Sequence, residues 1–164
     1  MSLRLILMRH AKSSWGDPTQ DDHQRPLNGR GRRSAEAMGD WLREEKTLPD
    51  QMLISSAQRT IETCELLMLE AEKAVVDALY MASPAAMLEV LKRATGHCVL
   101  MLGHNPGTAW LARDLVENPS EHPRFSDYPT CATLLVDFEI ENWGKLKPGS
   151  GEVIRFITPR ELIG

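Results

Sequence analysis

The chain has 164 residues, of which 42% are apolar, 19 are basic and 23 are acidic, giving a net charge of −4. This length fits one ordinary domain, and the apolar fraction together with 11 glycines excludes a disordered or fibrous chain. The negative charge argues against general nucleic-acid binding, but residues 1–60 carry +2 and residues 61–164 carry −6. We therefore expect any anion site to draw on the first third of the chain.

The cysteines and the apolar runs predict a soluble protein of the reducing cytoplasm. Three widely spaced cysteines without a C-x-x-C pair predict neither a disulfide scaffold nor a structural zinc site. The apolar run at residues 5–8 is too short for the core of a signal peptide. The run at residues 98–102 is far too short to cross a bilayer.

Strand and helix patterns alternate along the chain, which is typical of an α/β domain with a largely parallel sheet. Short apolar runs predict strands at residues 3–8, 52–54, 75–76, 98–102, 133–138 and 153–157, the last two as an edge hairpin. A helix is predicted from about residue 29 to 45. Helical spacing predicts further buried faces at residues 61, 64, 67, 68 and 71, at 87, 88, 91 and 94, and at 111, 112, 115 and 116. Residues 118–128 are predicted as a loop, and no linker divides the chain, so one domain over residues 1–164 is expected.

Local signals place the starts of three helices. Ser83 precedes a proline and is predicted as an N-cap. Asn105 before Pro106 repeats that signal, and Ser55 with Gln58 three residues later forms a capping-box pattern. The last two helix N-termini are expected to direct backbone N–H groups at one crevice.

Three polar clusters share one structural position, because each follows a predicted strand. Arg9 and His10 follow the first strand, Arg59 follows the strand at 52–54, and His104 and Asn105 follow the strand at 98–102. Ligands of open parallel sheets bind beyond the carboxyl ends of the strands. Taken singly, these residues could be surface or loop side chains, but the coincidence at three strand ends favours a site for one small anion.

These residue types suit the transfer of a phosphoryl group. Arginine is a planar, permanently charged fork that can bind two oxygens at once. Histidine can act as a nucleophile when neutral and as a cationic donor when protonated. Catalysis of phosphoryl transfer is mainly positioning and charge stabilisation, which such side chains supply.

Four segments together resemble the histidine phosphatase superfamily, with its phosphoglycerate mutase-like fold, and most of all its small SixA-type phosphohistidine phosphatases. The segments are LMRHAKS at 7–13, RPLNxRG at 25–31, SSxxRTxxT at 55–63 and GHNP at 103–106. The resemblance implies a three-layer α/β/α sandwich around a mostly parallel mixed sheet. It also implies that His10 is the nucleophile, that Arg9, Arg59 and His104 hold the phosphoryl oxygens, and that Arg25 contacts phosphate or substrate. Asn105, in the fourth segment, is placed with the phosphate-binding residues.

One departure from the superfamily pattern bears on the substrate. Many members carry a Glu or Asp general acid where this chain has Tyr80. A phenol is a poor acid at neutral pH, and an alkoxide leaving group needs a proton donor more than an imidazole does. The departure therefore favours a phosphoramidate substrate. Asp21 or Asp22 could donate the proton instead, or they could be solvated loop acids.

The lengths between the candidate residues leave no insertion for a large lid. The intervals from His10 to Arg59 and from Arg59 to His104 are 49 and 45 residues. The sequence thus predicts an open site for a phosphorylated side chain of another protein, unless the 118–130 loop covers the crevice. The basic run at residues 30–33 is either a solvated helical turn or a surface for an acidic partner.

The predicted activity is removal of phosphate from a phosphohistidine-bearing protein, such as a phosphorelay domain, without a metal or other cofactor. Inorganic phosphate is the expected product, and neither nucleic acid nor membrane is an expected partner. The alternatives are a phosphatase or mutase acting on a small phosphomonoester, and a non-catalytic module that binds phosphoproteins.

Overall fold

The computed structural model describes residues 2–164, which form six strands and five α-helices around one sheet. The strands are β1 (Leu3–Arg9), β2 (Gln51–Ser55), β3 (Glu72–Val76), β4 (Cys98–Gly103), β5 (Thr133–Phe138) and β6 (Glu152–Ile157). The helices are α1 (Gly29–Glu44), α2 (Gln58–Leu67), α3 (Pro84–Lys92), α4 (Gly107–Leu115) and α5 (Arg160–Ile163). In this described part of the chain, no helix combines the length and apolar character that a membrane span requires.

The sheet has the order β3-β2-β4-β1-β5-β6 and confirms the predicted mixed α/β class. β3, β2, β4 and β1 pair in parallel, whereas β5 and β6 run antiparallel as the predicted edge pair. Alternate residues of β1 enter different cores: Leu5 and Leu7 pack with α3 and α4, whereas Ile6 and Met8 pack with α1 and α2. Helices therefore cover both faces of the sheet, which makes the three layers.

The order of the strands reverses direction between β1 and β4. From β1 the chain passes through α1 to β2 on one side, and from β4 it passes through α4 to β5 on the other. Neighbouring connections that leave in opposite directions open a crevice at the carboxyl ends of these two strands. Arg9 is in register with Gly103 there, so the residues that follow them, His10 and His104, are held side by side.

The second helix is shorter than its apolar spacing predicts. α2 ends at Leu67, because Met68 adopts a left-handed conformation with φ of 54° and is 73% exposed. Arg43 of α1 donates to the carbonyls of Leu67 and Met68 at 2.7 and 2.9 Å, satisfying groups that another helical turn would have used. The prediction that Met68 and Ala71 continue the buried helical face is therefore wrong.

The cap predictions have mixed outcomes. Ser83 is the N-cap of α3 and accepts from the Ala86 N–H at 3.2 Å, as predicted. α2 instead begins after Ala57 without a side-chain cap, so the Ser55 capping box is wrong. α4 begins after Pro106, one residue later than the signal predicts.

Candidate active site

A crevice of about 250 Å³ lies at the carboxyl ends of β1, β2 and β4. It brings together the four side chains that the sequence placed at three separate strand ends. Its lining consists of Arg9, His10, Lys12, Ser13, Trp15, Asp22, Arg59, Met81, His104, Asn105 and Thr130. The predicted convergence of two imidazoles and two guanidinium groups is thus present in the structure.

His10 is held in one tautomer by its own backbone. Its Nδ1 lies 2.7 Å from the Ala11 carbonyl oxygen, and because a carbonyl can only accept, Nδ1 carries the hydrogen. The lone pair is therefore on Nε2. Burial, helped by the nearby charges of His104 and Arg9 and opposed by the bond to Ala11, lowers the pKa of His10 to about 3. His10 is a neutral imidazole at physiological pH, which is the nucleophilic form.

The loop that follows His10 is fixed from two helices. The Ala11 N–H donates to Thr63 of α2 at 3.0 Å, and the Lys12 carbonyl accepts from the Asn28 N–H at 3.0 Å. The first turn of α1 presses on the same loop, because a Cβ at Gly31 would lie 2.1 Å from the Lys12 carbonyl oxygen. Position 31 therefore requires glycine for a close approach of backbone to backbone.

His104 is also neutral, but both its nitrogens are occupied. Nδ1 lies 3.3 Å from Nη2 of Arg59, which can only donate, so Nε2 carries the hydrogen and donates to Ser55 Oγ at 2.7 Å. Burial and the charge of Arg59 lower the pKa of His104 to about 4. The two histidine rings are 5.2 Å apart between centroids. His104 is thus placed to hold an anion only after Nδ1 gains a proton.

Arg9 is a partly buried cation whose hydrogen-bonding capacity is not used up. Its Nη1 donates to the Tyr128 carbonyl at 3.2 Å, whereas its buried Nε has no partner among residues 2–164. Burial lowers the pKa of Arg9, and the charge of Arg59 lowers it further. Because a buried donor without a partner is costly, this pattern favours a site that an anion completes.

Arg59 is held by an aspartate at the crevice wall. Nη1 donates to the Asp22 carbonyl at 2.7 Å and Nη2 to the Asp22 carboxylate at 3.1 Å. The Tyr80 hydroxyl donates to that same carboxylate oxygen. These bonds lower the pKa of Asp22, chiefly through Tyr80, and the bond to Asp22 raises the pKa of Tyr80. At neutral pH, Asp22 is therefore a carboxylate and Tyr80 an un-ionised phenol.

Two of the predicted binding residues have other contacts. Arg25 is absent from the crevice lining: its guanidinium stacks on Trp15 at 3.7 Å from the ring centroid and donates to the Ser14 carbonyl at 3.2 Å. Asn105 does line the crevice, but its amide donates to the Asp127 and Tyr128 carbonyls, both at 3.0 Å. Arg25 thus lies next to a lining residue without lining the crevice itself, and Asn105 connects the crevice to the 118–130 loop.

The 118–130 loop forms one wall of the crevice. Thr130 lies in the lining, and the Tyr128 carbonyl accepts hydrogen bonds from the side chains of both Arg9 and Asn105. The loop therefore bounds the crevice on one side, next to Arg9.

Sequence reasoning missed several contributors to the site. Ser55 orients His104, Thr63 anchors the loop after His10, and Trp15 and Met81 shape the crevice mouth. A signal existed for Ser55, which directly ends a buried strand at the same level as the other clusters. Within residues 2–164, no group of three or more His, Cys, Asp or Glu side chains is arranged to hold a metal ion.

Comparison with known proteins agrees with this geometry. The family model of the histidine phosphatase superfamily (branch 1) matches residues 5–81. An uncharacterised protein of Mycobacterium tuberculosis is 32% identical over 160 residues, which span 93% of this chain and 100% of that protein.

Solved structures of other proteins share this fold over nearly the whole chain. A candidate phosphohistidine phosphatase SixA from Nakamurella multipartitia has a TM-score of 0.87 and 25% identity, with 97% of each chain covered. The protein histidine phosphatase SixA bound to tungstate has a TM-score of 0.77 and 23% identity, covering 98% of this chain and 99% of the other. The matched family model and the Nakamurella neighbour support a phosphatase, and the tungstate-bound structure supports the fold. The chain belongs to the histidine phosphatase superfamily and resembles its SixA-type members.

Proposed function

We propose that this protein is a phosphohistidine phosphatase, which removes phosphate from phosphohistidine-bearing proteins through a phosphorylated His10. The observation that carries the proposal is the tautomer of His10, whose Nδ1 hydrogen is engaged by Ala11 so that Nε2 carries the lone pair. Arg9 and Arg59 stand beside it with permanent charge for the phosphoryl oxygens.

The reaction has two displacements at phosphorus. In the first, Nε2 of His10 forms a bond to phosphorus while the bond from phosphorus to the substrate imidazole breaks, and its electron pair leaves with that imidazole. In the second, water attacks phosphorus, the bond to Nε2 breaks, and inorganic phosphate departs with His10 restored. The arginines stabilise the charge spread over the equatorial oxygens in both displacements.

The protonation states of Asp22 and Tyr80 at the crevice wall support an imidazole as the leaving group. Asp22 is ionised and Tyr80 keeps its proton, so neither is suited to protonate an alkoxide. Imidazole can leave neutral when its other nitrogen carries a hydrogen, and the Asp22 carboxylate can accept a hydrogen bond from that N–H. The departure at Tyr80 therefore favours a phosphoramidate over a phosphomonoester.

In this proposal His104 is a further ligand of the phosphoryl oxygens, beside Arg9 and Arg59. Arrival of a phosphoryl dianion between Arg59 and Nδ1 of His104 raises the affinity of Nδ1 for a proton. The protonated ring can then donate from Nδ1 to a phosphoryl oxygen while Nε2 keeps its bond to Ser55.

The test is a single-turnover reaction with a histidine peptide phosphorylated on its imidazole. Mass spectrometry at neutral to alkaline pH, which preserves phosphohistidine, should find phosphate on the peptide that contains His10. His10→Ala should abolish turnover and labelling, whereas His97→Ala, which removes an exposed imidazole at the other end of β4, should retain both. Full activity of His10→Ala, or phosphate trapped on another residue, would refute the proposal.

The same assay separates the alternatives. Faster hydrolysis of aryl phosphate or of phosphoserine than of phosphohistidine would establish a phosphomonoesterase. Transfer of phosphate to a second hydroxyl of an added acceptor would establish a mutase. Tight binding of the phosphopeptide without any hydrolysis would establish a binding module.

A further inference from the structure

A second cleft, which we call the basic groove, opens beside the crevice. It has a volume of about 210 Å³ and lies between the start of α1, the end of the 118–130 loop and α5. Its lining consists of Lys12, Arg30, Ser34, Arg124, Pro129, Thr130, Thr158, Pro159 and Arg160. The lining thus holds four cationic side chains and no carboxylate, in a chain whose net charge is −4.

Most of the positive charge of the basic groove is not neutralised within the protein. Arg124 is paired with Asp127 at 2.8 Å. Lys12, Arg30 and Arg160 form no ion pair with any of residues 2–164. Three unpaired cations around one cleft attract anions, and clefts concentrate that attraction.

The carboxylate that follows Arg160 in the sequence does not cancel the positive charge of the basic groove. Glu161 follows Arg160, but its Oε2 accepts from the Thr158 N–H at 2.7 Å and lies 3.0 Å from His122 Nε2. Its charge is therefore directed to the backbone turn before α5 and to the imidazole.

The basic groove and the crevice adjoin each other. Lys12 and Thr130 line both, and Lys12 is two residues from His10. The backbone between them is rigid, because the Lys12 carbonyl is bonded to Asn28 and lies against Gly31. A polypeptide that presents its phosphoimidazole to His10 can therefore extend over Lys12 into the basic groove.

The chemistry of the lining indicates the kind of anion. The three unpaired cations, Lys12, Arg30 and Arg160, come from three separate segments, so they suit several carboxylates along a chain better than one small dianion. The lining contains no aromatic side chain on which a base could stack, which disfavours single-stranded nucleic acid. An acidic stretch of polypeptide fits both features.

From these observations we propose that the basic groove binds an acidic segment of the phosphorylated protein, close in space to its phosphohistidine. This proposal rests on the proposed function for its substrate. It assigns to Arg30 and Arg160 the selection of the protein partner, separate from the chemistry at His10.

The test compares two peptides that each contain one phosphohistidine and differ only in a flanking triplet of Glu or Gln. The wild-type protein should hydrolyse the Glu peptide with a KM about tenfold lower at low salt, and the difference should shrink as ionic strength rises. Arg30→Glu/Arg160→Glu should abolish the preference. The matched control Arg93→Glu/Arg113→Glu changes the same charge on the α3–α4 side and should retain it. Hydrolysis of phosphoramidate should be equal in all three proteins.

Absence of a preference in the wild type, or its persistence in Arg30→Glu/Arg160→Glu, would overturn the inference. Binding of a fluorescent, unphosphorylated Glu peptide, followed by anisotropy, tests the basic groove even if no substrate is hydrolysed, so the two proposals can fail separately. Tighter binding of a single-stranded oligonucleotide than of the Glu peptide would also overturn it. Circular dichroism verifies that each charge-reversal variant is folded.

Discussion

The two ends of the central parallel strands use polar side chains in opposite ways. At the amino end of β4, Asp50 accepts the backbone N–H groups of His97 and Cys98 at 3.0 and 3.3 Å. Gln51 accepts those of Thr95 and Gly96, both at 2.8 Å. Each of these side-chain oxygens accepts a backbone hydrogen bond, and together the bonds fix the turn before β4.

At the carboxyl end, by contrast, charged and titratable groups are buried with capacity left over. Arg9 keeps a partnerless buried Nε, and the pKa values of His10 and His104 are lowered to about 3 and about 4. Such burial disfavours the protonated imidazoles and weakens the fold at low pH. One end of the sheet therefore uses its polar side chains to stabilise the fold, while the other buries charged and titratable groups at a cost in stability.

The largest effect is expected from a substitution at the carboxyl end of the strands. Replacing Arg59 by Ala removes a buried fork beside the phosphoryl site and should lower kcat/KM by about 10³-fold, since one preorganised donor contributes about 10²–10³-fold and Arg59 supplies several. Arg59→Lys keeps the charge without the fork and should recover only part of the loss. Steady-state kinetics with phosphoramidate measure both, and Arg93→Ala is the exposed control. An Arg59→Ala variant within threefold of wild type would remove Arg59 from the site.

The second effect is the pH dependence of stability. The folded-state pKa values of His10 and His104 lie below the unfolded value near 6.5, so the unfolded chain binds more protons between about pH 6.5 and 4. The free energy of unfolding should therefore fall as the pH is lowered, by about 1.4 kcal/mol per pH unit for each imidazole.

Urea denaturation at several pH values measures this slope. A His10→Gln/His104→Gln variant should show a shallower dependence than wild type, and His97→Gln should not. An unchanged slope in the double variant would mean that the two buried histidines do not cause the loss.

A smaller effect concerns the leaving group. Asp22→Asn removes the charge that can accept the N–H of a departing imidazole, and should lower kcat/KM about tenfold with a phosphohistidine peptide. Phosphoramidate has no imidazole and should be affected less. Asp21→Asn, an exposed neighbour, is the control. Equal losses with both substrates would show that Asp22 acts only by holding Arg59.

The smallest effect belongs to the amino end. Asp50→Ala should lower the free energy of unfolding by about 1 kcal/mol, because two backbone N–H groups lose their acceptor to water. The turnover of phosphoramidate should stay at the wild-type value. A loss of activity larger than the loss of folded protein would show that the two ends are coupled.

Much of the candidate site at the carboxyl end could be predicted, because its position follows from the order and direction of the strands. Short apolar runs located β1, β2 and β4, and parallel strands bring their carboxyl ends to one edge whatever the loops do. His10, Arg9, Arg59 and His104 were therefore placed together from their positions after strands. The domain extent, the cytoplasmic location and the partner stay predictions.

The details that the sequence did not reveal depend on contacts over long sequence separations. The Ser55 pattern predicted a helix cap, but its hydroxyl is bonded to His104, 49 residues away. The sequence allows Asp22 to be either a proton donor or a solvated loop acid, whereas its bonds to Arg59 and Tyr80 make it an ionised residue of the crevice lining. The prediction that Arg25 contacts phosphate or substrate stays a prediction, and the sequence did not reveal that Arg25 stacks on Trp15 of the crevice lining. Local patterns carry no information about such partners.

The glycine at position 31 has a consequence for how the chemistry is aligned. His10 belongs to the loop after β1, and besides its bonds to Thr63 and Asn28 that loop lies directly against the backbone of α1 at Gly31. A methyl group at position 31 would displace the Lys12 backbone, two residues from His10, and so should move the proposed nucleophile without altering any reacting group. The placement of the proposed nucleophile thus depends in part on a residue 21 positions further along the chain that does not line the crevice.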